Sequence, residues 1–353
     1  MDFKSALDEM SKTTRTHFWN DNCSKIDLAF AIEHGAVGAT TNPVIVGQVL
    51  EAELDTYIPE IKRLIADNPT DTEDDIAWKL NESMAAEGAK LLEPVYRKTE
   101  RKAGYISIQT NAKFYRNSEK IIKQAVSFKS LAPNIMVKMP VTFAGVKAVE
   151  ESTYQGVNLN ATVSFTVSQA IAVAEAVERG LKRREADGLD NSSMHPVCTI
   201  MVGRTDDWIK DVVEKMGITI DPLALELSGV AVFKHACAIY KERGYRTRLL
   251  VAAYRNRYHL TEFIGGDVSL TIPPPWIKKF VNSDIKVESR IDIPVDPAML
   301  SILKQVPDFN RAYDADGLKP EEFDGYGATK KTLAQFLNGY DKMVGMIRKF
   351  MVG

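Results

Sequence analysis

The chain has 353 residues, 45 Lys+Arg against 47 Asp+Glu for a formal net charge of −2, and a hydrophobic share of 45%, which is the composition of an ordinary globular enzyme. That balance supplies no basic field for nucleic acid or anionic lipid, and no apolar run reaches the roughly 18 residues that span a bilayer. Three cysteines, Cys23, Cys198 and Cys237, are an odd count without paired spacing, and the N-terminal MDFKSALDEM lacks a signal peptide's apolar core, so a reducing cytoplasm fits best.

Short runs rich in Val, Ile and Thr alternate with longer amphipathic stretches. Strands are expected at 16–21 (THFWND), 37–42 (VGATTN), 104–110 (GYISIQT), 134–141 (NIMVKMPV), 157–164 (VNLNATVS), 196–202 (PVCTIMV), 248–254 (RLLVAAY) and 267–272 (DVSLTI). They are apolar on both parities, as strands buried on both faces are. Between the second and third runs, residues 67–75 (DNPTDTEDD) are acidic with no His or Cys beside them, so they read as a solvated loop and helix start and not as a metal site. After Ser118, the residues Ile121, Ile122, Ala125 and Val126 share one helical face. Residues 179–196 are polar and read as an insertion before the sixth strand.

A helix is expected over 205–217, capped by Thr205, with Asp206 and Asp207 in its first turn and Gly217 as its stop. Trp208, Ile209, Val212, Val213 and Met216 would form its apolar face. Beyond the eighth strand, PPPW at 273–276 opens an irregular region. It ends in a helix whose Leu333, Phe336, Leu337, Tyr340, Val344 and Ile347 line one stripe that must be buried on the rest of the fold. Eight strand–helix alternations without a domain-sized break predict an α/β fold: a single (β/α)8 TIM barrel over 1–353, with a C-terminal extension at about 281–353 packed on it. A doubly wound sheet is the alternative, but no G-x-G-x-x-G follows a strand.

Barrel chemistry sits at the C-terminal strand ends. Those ends carry Asp21, Asn42, Gln109, Lys138, Asn160 and Thr162, then Arg204, and finally Tyr254 with Arg255. Lys138 stands inside the apolar run IMVKMP. A lysine there either pairs with a neighbouring strand or is held in the interior, where burial lowers its pKa from ~10.4 and leaves an amine able to attack a carbonyl. Spacing alone leaves both readings open. His17, His34, His195, His235 and His259 are scattered without metal spacing and read as core or surface.

TTNP at 40–43, VKMPVTFAGVKAVEE at 137–151, GVNLNATVSF at 156–165 and VGRTDDW at 202–208 together resemble the transaldolase family, class I aldolases of barrel fold that form a Schiff base through a strand-four lysine. The resemblance runs in order from about residue 16 to 272, and the last helix resembles the family's closing helix. It implies that Lys138 attacks a ketose C2 carbonyl, that Asp21 moves protons and restrains the lysine, and that Thr162 holds a relay water. It implies that Asn42 and Asn160 bind hydroxyls of a dihydroxyacetone unit and that Arg204 binds substrate phosphate. Plainer readings stand beside these: Thr162 suits any strand, and Asn42 before Pro43 suits a turn.

Two departures matter. Gln109 stands where transaldolases usually place a glutamate; it can orient a water but cannot take its proton. The fructose-6-phosphate aldolase branch resembles this chain in having glutamine there, but its strand-six tyrosine would be Met201, which leaves Tyr254 as the nearest hydroxyl. Ala253-Tyr254-Arg255 replaces the usual Ser-Phe-Arg, so Arg255 becomes the second phosphate ligand, or Asn256 after a one-residue shift. The implied activity is transfer of a dihydroxyacetone unit between sugar phosphates, in the pentose phosphate pathway, with no metal and no organic cofactor. An aldolase that releases free dihydroxyacetone, even from a non-phosphorylated sugar, remains an alternative, as do a non-catalytic sugar-binding barrel and a pyridoxal-phosphate anchor at Lys138. The expected partner is a small sugar or sugar phosphate, with no nucleic acid or membrane; monomer and homo-oligomer both stay open.

Overall fold

Eight parallel strands close on themselves in chain order: β1 (His17–Asn20), β2 (Gly38–Thr40), β3 (Tyr105–Gln109), β4 (Ile135–Pro140), β5 (Leu159–Ser164), β6 (Val197–Ile200), β7 (Arg248–Val251) and β8 (Ser269–Ile272). These come from a computed structural model that describes residues 3–352, so Met1, Asp2 and Gly353, the ends of the expected span, lie outside the described residues. Each expected run contains its strand, and the excess falls where the chain leaves the ladder for a loop or, at Val202, for a helix. Gln109, Lys138 and Asn160 are register partners on three adjacent strands, so their side chains share the inner face of the barrel. The β5–β6 register slips between Ala161 and Ser164, where Val163 takes φ +60°, an outlier for a β-branched residue. Thr162, two residues after Asn160, keeps the inner face, and the bulge turns Ser164 outward toward Cys198.

Helices α1 (Ala6–Thr13) and α2 (Lys25–Glu33) flank β1, and three helices separate β2 from β3: α3 (Pro43–Ala52), α4 (Leu54–Asp67) and α5 (Glu73–Lys98). Thr72 and Asp75 form a capping box at the start of α5, so the acidic run is a loop and helix start. Next come α6 (Ser118–Lys129), α7 (Phe143–Tyr154) and α8 (Val167–Ala186). The last of these corrects the reading of 179–196 as an insertion. Gly180 and Leu181 are still buried on α8, and only 187–196 is loop. Its charged exposed face looked like an insert because a half-solvated helix end is polar on most positions.

Helix α9 (Val202–Met216) begins three residues before the expected cap. Thr205 lies inside it and donates from Oγ1 to the Phe165 carbonyl oxygen at 3.2 Å, while Met201 holds the cap position without a side-chain bond. The cause is close approach of α9 to the end of β7. A Cβ on Gly203 would sit 1.7 Å from the Ala253 carbonyl oxygen, so glycine there admits the extra turn. Gly217, at φ +65°, ends the helix as expected.

The chain continues through α10 (Pro222–Glu226), α11 (Ser228–Arg243), α12 (Tyr258–Thr261) and α13 (Pro274–Val281). Helix α13 corrects the irregular reading of PPPW: Pro274 and Pro275 occupy its first turn, where a missing N–H costs nothing. The short helices α14 (Pro297–Leu303) and α15 (Pro307–Tyr313) lead to α16 (Gly327–Val352). Of the expected stripe on α16, Leu333, Phe336, Tyr340, Val344 and Ile347 are buried and Leu337 is partly so. Helix α16 packs on α3 and α5, with Trp78 Nε1 donating to the Tyr340 hydroxyl at 3.1 Å. Among the described residues, no helix is long and apolar enough to cross a membrane.

Candidate active site

Lys138 projects from β4 into the C-terminal half of the barrel and is 2% exposed. Its Nζ donates one hydrogen bond, to the Thr41 carbonyl oxygen at 3.2 Å. Burial depresses its pKa below that of an ordinary lysine; the Asp21 carboxylate opposes the shift, and the Arg204 guanidinium adds to it. Asp21, just past β1, is pushed the other way by burial, against the pull of Lys138 and a 2.6 Å hydrogen bond from Thr40 Oγ1. An amine easier to deprotonate thus faces a carboxyl easier to protonate, the pairing that moves a proton at neutral pH. No hydrogen bond joins Asp21 to Lys138 among the described residues. The Thr41 carbonyl holds the amine directly, and the Asp21 carboxylate acts on it through its charge.

Around this pair lie buried polar atoms without partners: Gln109 Oε1, Thr162 Oγ1 and the Tyr254 hydroxyl. Buried polar groups are otherwise almost always bonded, so three together at one barrel end mark a place for bound water or substrate. Burial, with the Asp21 charge second, raises the Tyr254 phenol well above its ordinary pKa, so it stays a neutral donor. Asn160 is already engaged: it donates from Nδ2 to Ser107 Oγ at 3.3 Å and accepts from Thr199 Oγ1 at 2.7 Å. Asn42 caps α3, its Oδ1 accepting from the Val44 and Ile45 amides at 3.0 Å each. Asn42 thus caps a helix, and its amide NH2 is left to meet a ligand.

A second centre of charge lies where α9, β7 and α16 converge. Arg204, Arg255, Lys331, Thr332 and Gln335 line a small cavity of about 30 Å³ there, together with Asp207. Burial and the neighbouring Arg255 pull the Arg204 pKa down to about 10, a sign that two guanidiniums crowd a space suited to an anion. Arg204 donates to Thr332 Oγ1 at 3.1 Å and to Gln335 Oε1. Arg255 meets Asp207 through Nε and Nη2, the shortest contact being 2.7 Å. Asn256 is turned elsewhere, donating to the Glu226 carbonyl oxygen and accepting from the Tyr258 amide, so the geometry brings Arg255, not Asn256, beside Arg204.

Several groups here escaped sequence reasoning. Thr40 and Thr271, whose hydroxyls lie 2.5 Å apart, bridge β2 and β8 beneath Asp21; inward parity on the strands was the available signal. Thr332 and Gln335 sit on the polar side of a stripe that was read for its apolar residues alone. Asp206 and His259 form a fully buried pair at 2.8 Å, although His259 had no motif around it. Asp206 Oδ1 accepts from Ser228 Oγ and the Gly229 amide, and His259 Nδ1 accepts from the Arg255 amide at 3.0 Å. Because Nδ1 accepts, the ring proton sits on Nε2 and points at Asp206.

Comparison with known proteins points to one family. Residues 18–319 match the model of the family described as Transaldolase/Fructose-6-phosphate aldolase. "Transaldolase 2" of Nostoc sp. strain PCC 7120 is 26% identical, across 93% of this chain and 96% of its own length. "Transaldolase 2" of Nostoc punctiforme is 27% identical across 87% and 90%, and the transaldolase of Thiobacillus denitrificans 28% across 72% and 78%.

Proposed function

The chain belongs to the transaldolase/fructose-6-phosphate aldolase family and is an enzyme of transaldolase type, and from that premise we propose that Lys138 carries the reaction as a Schiff base. The observation that supports this most is a buried lysine with a depressed pKa, held by one neutral carbonyl and facing the Asp21 carboxyl. Its neutral amine adds to the C2 carbonyl of a ketose, and loss of water gives the imine. Asp21 takes the C4 hydroxyl proton as the C3–C4 bond breaks, which releases an aldehyde and leaves the enamine of dihydroxyacetone on Lys138. Addition of that enamine to an acceptor aldehyde, followed by imine hydrolysis, completes the transfer. Thr162 Oγ1 and Gln109 Oε1, buried without partners, hold the water that relays protons. Asn160 and the amide of Asn42 meet the hydroxyls of the three-carbon unit, and Tyr254 donates from its phenol.

The substrate is a sugar phosphate in this reading, its phosphate seated between Arg204 and Arg255 by charge-assisted bonds in exchange for Gln335 and Asp207. One observation favours an aldolase outcome beside transfer: Gln109 is neutral, so it cannot hold back the proton that quenches the enamine. The reading takes the chain as one domain. Incubation with fructose 6-phosphate and borohydride should add the donor fragment's mass to the peptide holding Lys138, and Lys138→Met should abolish trapping and turnover. Labelling at another lysine would overturn the assignment. Turnover without any trapped adduct would do the same. A colourless purified protein disposes of the pyridoxal-phosphate reading.

A further inference from the structure

At the end of the barrel opposite Lys138 lies a much larger space. The interior of such a barrel is ordinarily filled by layers of bulky branched side chains. Here the N-terminal strand ends supply His17, Tyr105, Met136, Val197, Arg248 and Ser269 to the lining of a cavity of about 1010 Å³, ample for a small molecule. Trp19 lies across its inner end, and Gly38 makes the room: a Cβ there would come 2.7 Å from the indole. The outer wall belongs to the segment between α13 and α15, which the proposed chemistry does not use. Ile291, Pro294, Val295 and Leu300 line the cavity from that segment. Lys234 on α11 fixes it by donating to the Arg290 and Ile293 carbonyl oxygens while paired with Glu262 at 2.8 Å. The Arg290 and Ile291 amides bond the Ile264 carbonyl oxygen. The wall is therefore built, not a loose flap.

The lining is cationic. Arg15, Lys102, Lys234, Lys241, Arg246 and Arg248 face two carboxylates, Asp267 and Asp292. Lys234 is consumed by the wall and Arg246 by Glu178 and Glu185. Among the described residues Arg15 forms no ion pair, and Lys102 has only Glu100, at 3.6 Å. Two buried polar atoms of the lining lack partners: Thr247 Oγ1, on a residue 4% exposed, and Arg248 Nε. Arg248 otherwise pairs with Asp267 at 2.7 Å and donates to the Arg15 and Val268 carbonyl oxygens. Burial, with Arg248 adding its charge, drives the His17 pKa down to about 4, so at neutral pH the ring is uncharged and adds to the apolar surface of Trp19, Tyr105 and Met136.

We propose that this cavity is a second binding site, for a small organic anion with an apolar body. The anionic group meets the exposed side chains of Arg15 and Lys102, and the apolar body enters toward Trp19, Tyr105 and Met136. The site is separate from the Lys138 centre and does not depend on the reaction assigned there.

Anilinonaphthalenesulfonate, an aromatic sulfonate whose emission rises on leaving water, is the probe. It should bind saturably with one equivalent per chain. Arg15→Glu and Ala238→Trp alter exposed lining positions and spare the core; each should weaken binding about tenfold or more, the worth of one charge-assisted contact or a filled pocket. Lys138→Met and Arg204→Ala should leave the affinity unchanged. Absence of saturable binding overturns the proposal, and so does full-strength binding in both Arg15→Glu and Ala238→Trp. Loss of binding in Lys138→Met or Arg204→Ala, with the cavity variants unaffected, places the probe at the other mouth and overturns it too.

Discussion

Replacing Asp206 with asparagine changes one oxygen to an NH2 group and should cost far more than so small a change suggests. Oδ1 accepts from Ser228 Oγ and the Gly229 amide, and Oδ2 accepts from His259 Nε2. If the new NH2 takes the Oδ2 position, it meets the Nε2 proton of His259. Moving that proton to Nδ1 relieves the clash and creates another, because Nδ1 accepts from the Arg255 amide. Protonating the ring is no remedy, since an imidazolium donates from both nitrogens. If the amide flips, its NH2 meets the Gly229 N–H. Every arrangement leaves two donors facing each other, with both side chains fully buried, and a charge-assisted bond is lost as well. Asp206→Asn should therefore destabilise the fold by about 2–4 kcal/mol, measured by chemical denaturation. The arrangement that disturbs the Arg255 amide should also raise KM for a phosphorylated donor relative to its dephosphorylated analogue. Wild-type stability in Asp206→Asn would refute the proton placement on which this reasoning rests.

That network also shows where sequence reading stops. Strands buried on both faces announce themselves through Val, Ile and Thr on both parities, so all eight were legible. Lys138 stood out because a lysine in IMVKMP is chemically incongruous. Asp206 reads as a dipole-stabilising first-turn residue because composition cannot reveal that Gly203 admits an earlier helix start, which turns Asp206 into the interior toward a histidine on α12. Likewise, Arg204 and Arg255 were each visible, but their occupation by Gln335 and Asp207 depends on where α16 crosses the barrel. Contacts between side chains far apart in the chain follow from packing, and local pattern carries no record of them.

Arg204→Ala should weaken a phosphorylated donor by roughly 2–5 kcal/mol in kcat/KM if the phosphate is desolvated, and far less for the dephosphorylated sugar; equal losses would remove phosphate from the assignment. Arg255→Ala, at a more exposed guanidinium already paired with Asp207, should show the same selectivity with a smaller loss. Stability should fall as pH drops from 6.5 to about 4, because the unfolded chain protonates His17 there while the folded chain, where burial and then Arg248 oppose the charge and Asp267 favours it, does not. His17 contributes about 3 kcal/mol to that loss, and His17→Gln should flatten this part of the denaturation profile. The last prediction concerns the fate of the enamine. Gln109 Oε1 is buried, unpartnered and one strand from Lys138, so it can hold a water but never take its proton. Gln109→Glu places a carboxylate, able to take and keep a proton, beside the same water. If that proton decides between transfer and hydrolysis, the variant should raise the ratio of transferred to freely released dihydroxyacetone while leaving borohydride trapping at Lys138 intact. Both products can be quantified with and without an acceptor aldehyde. An unchanged ratio with wild-type trapping would assign the choice to Asp21 or Tyr254, the other groups at this end of the barrel able to hand over a proton.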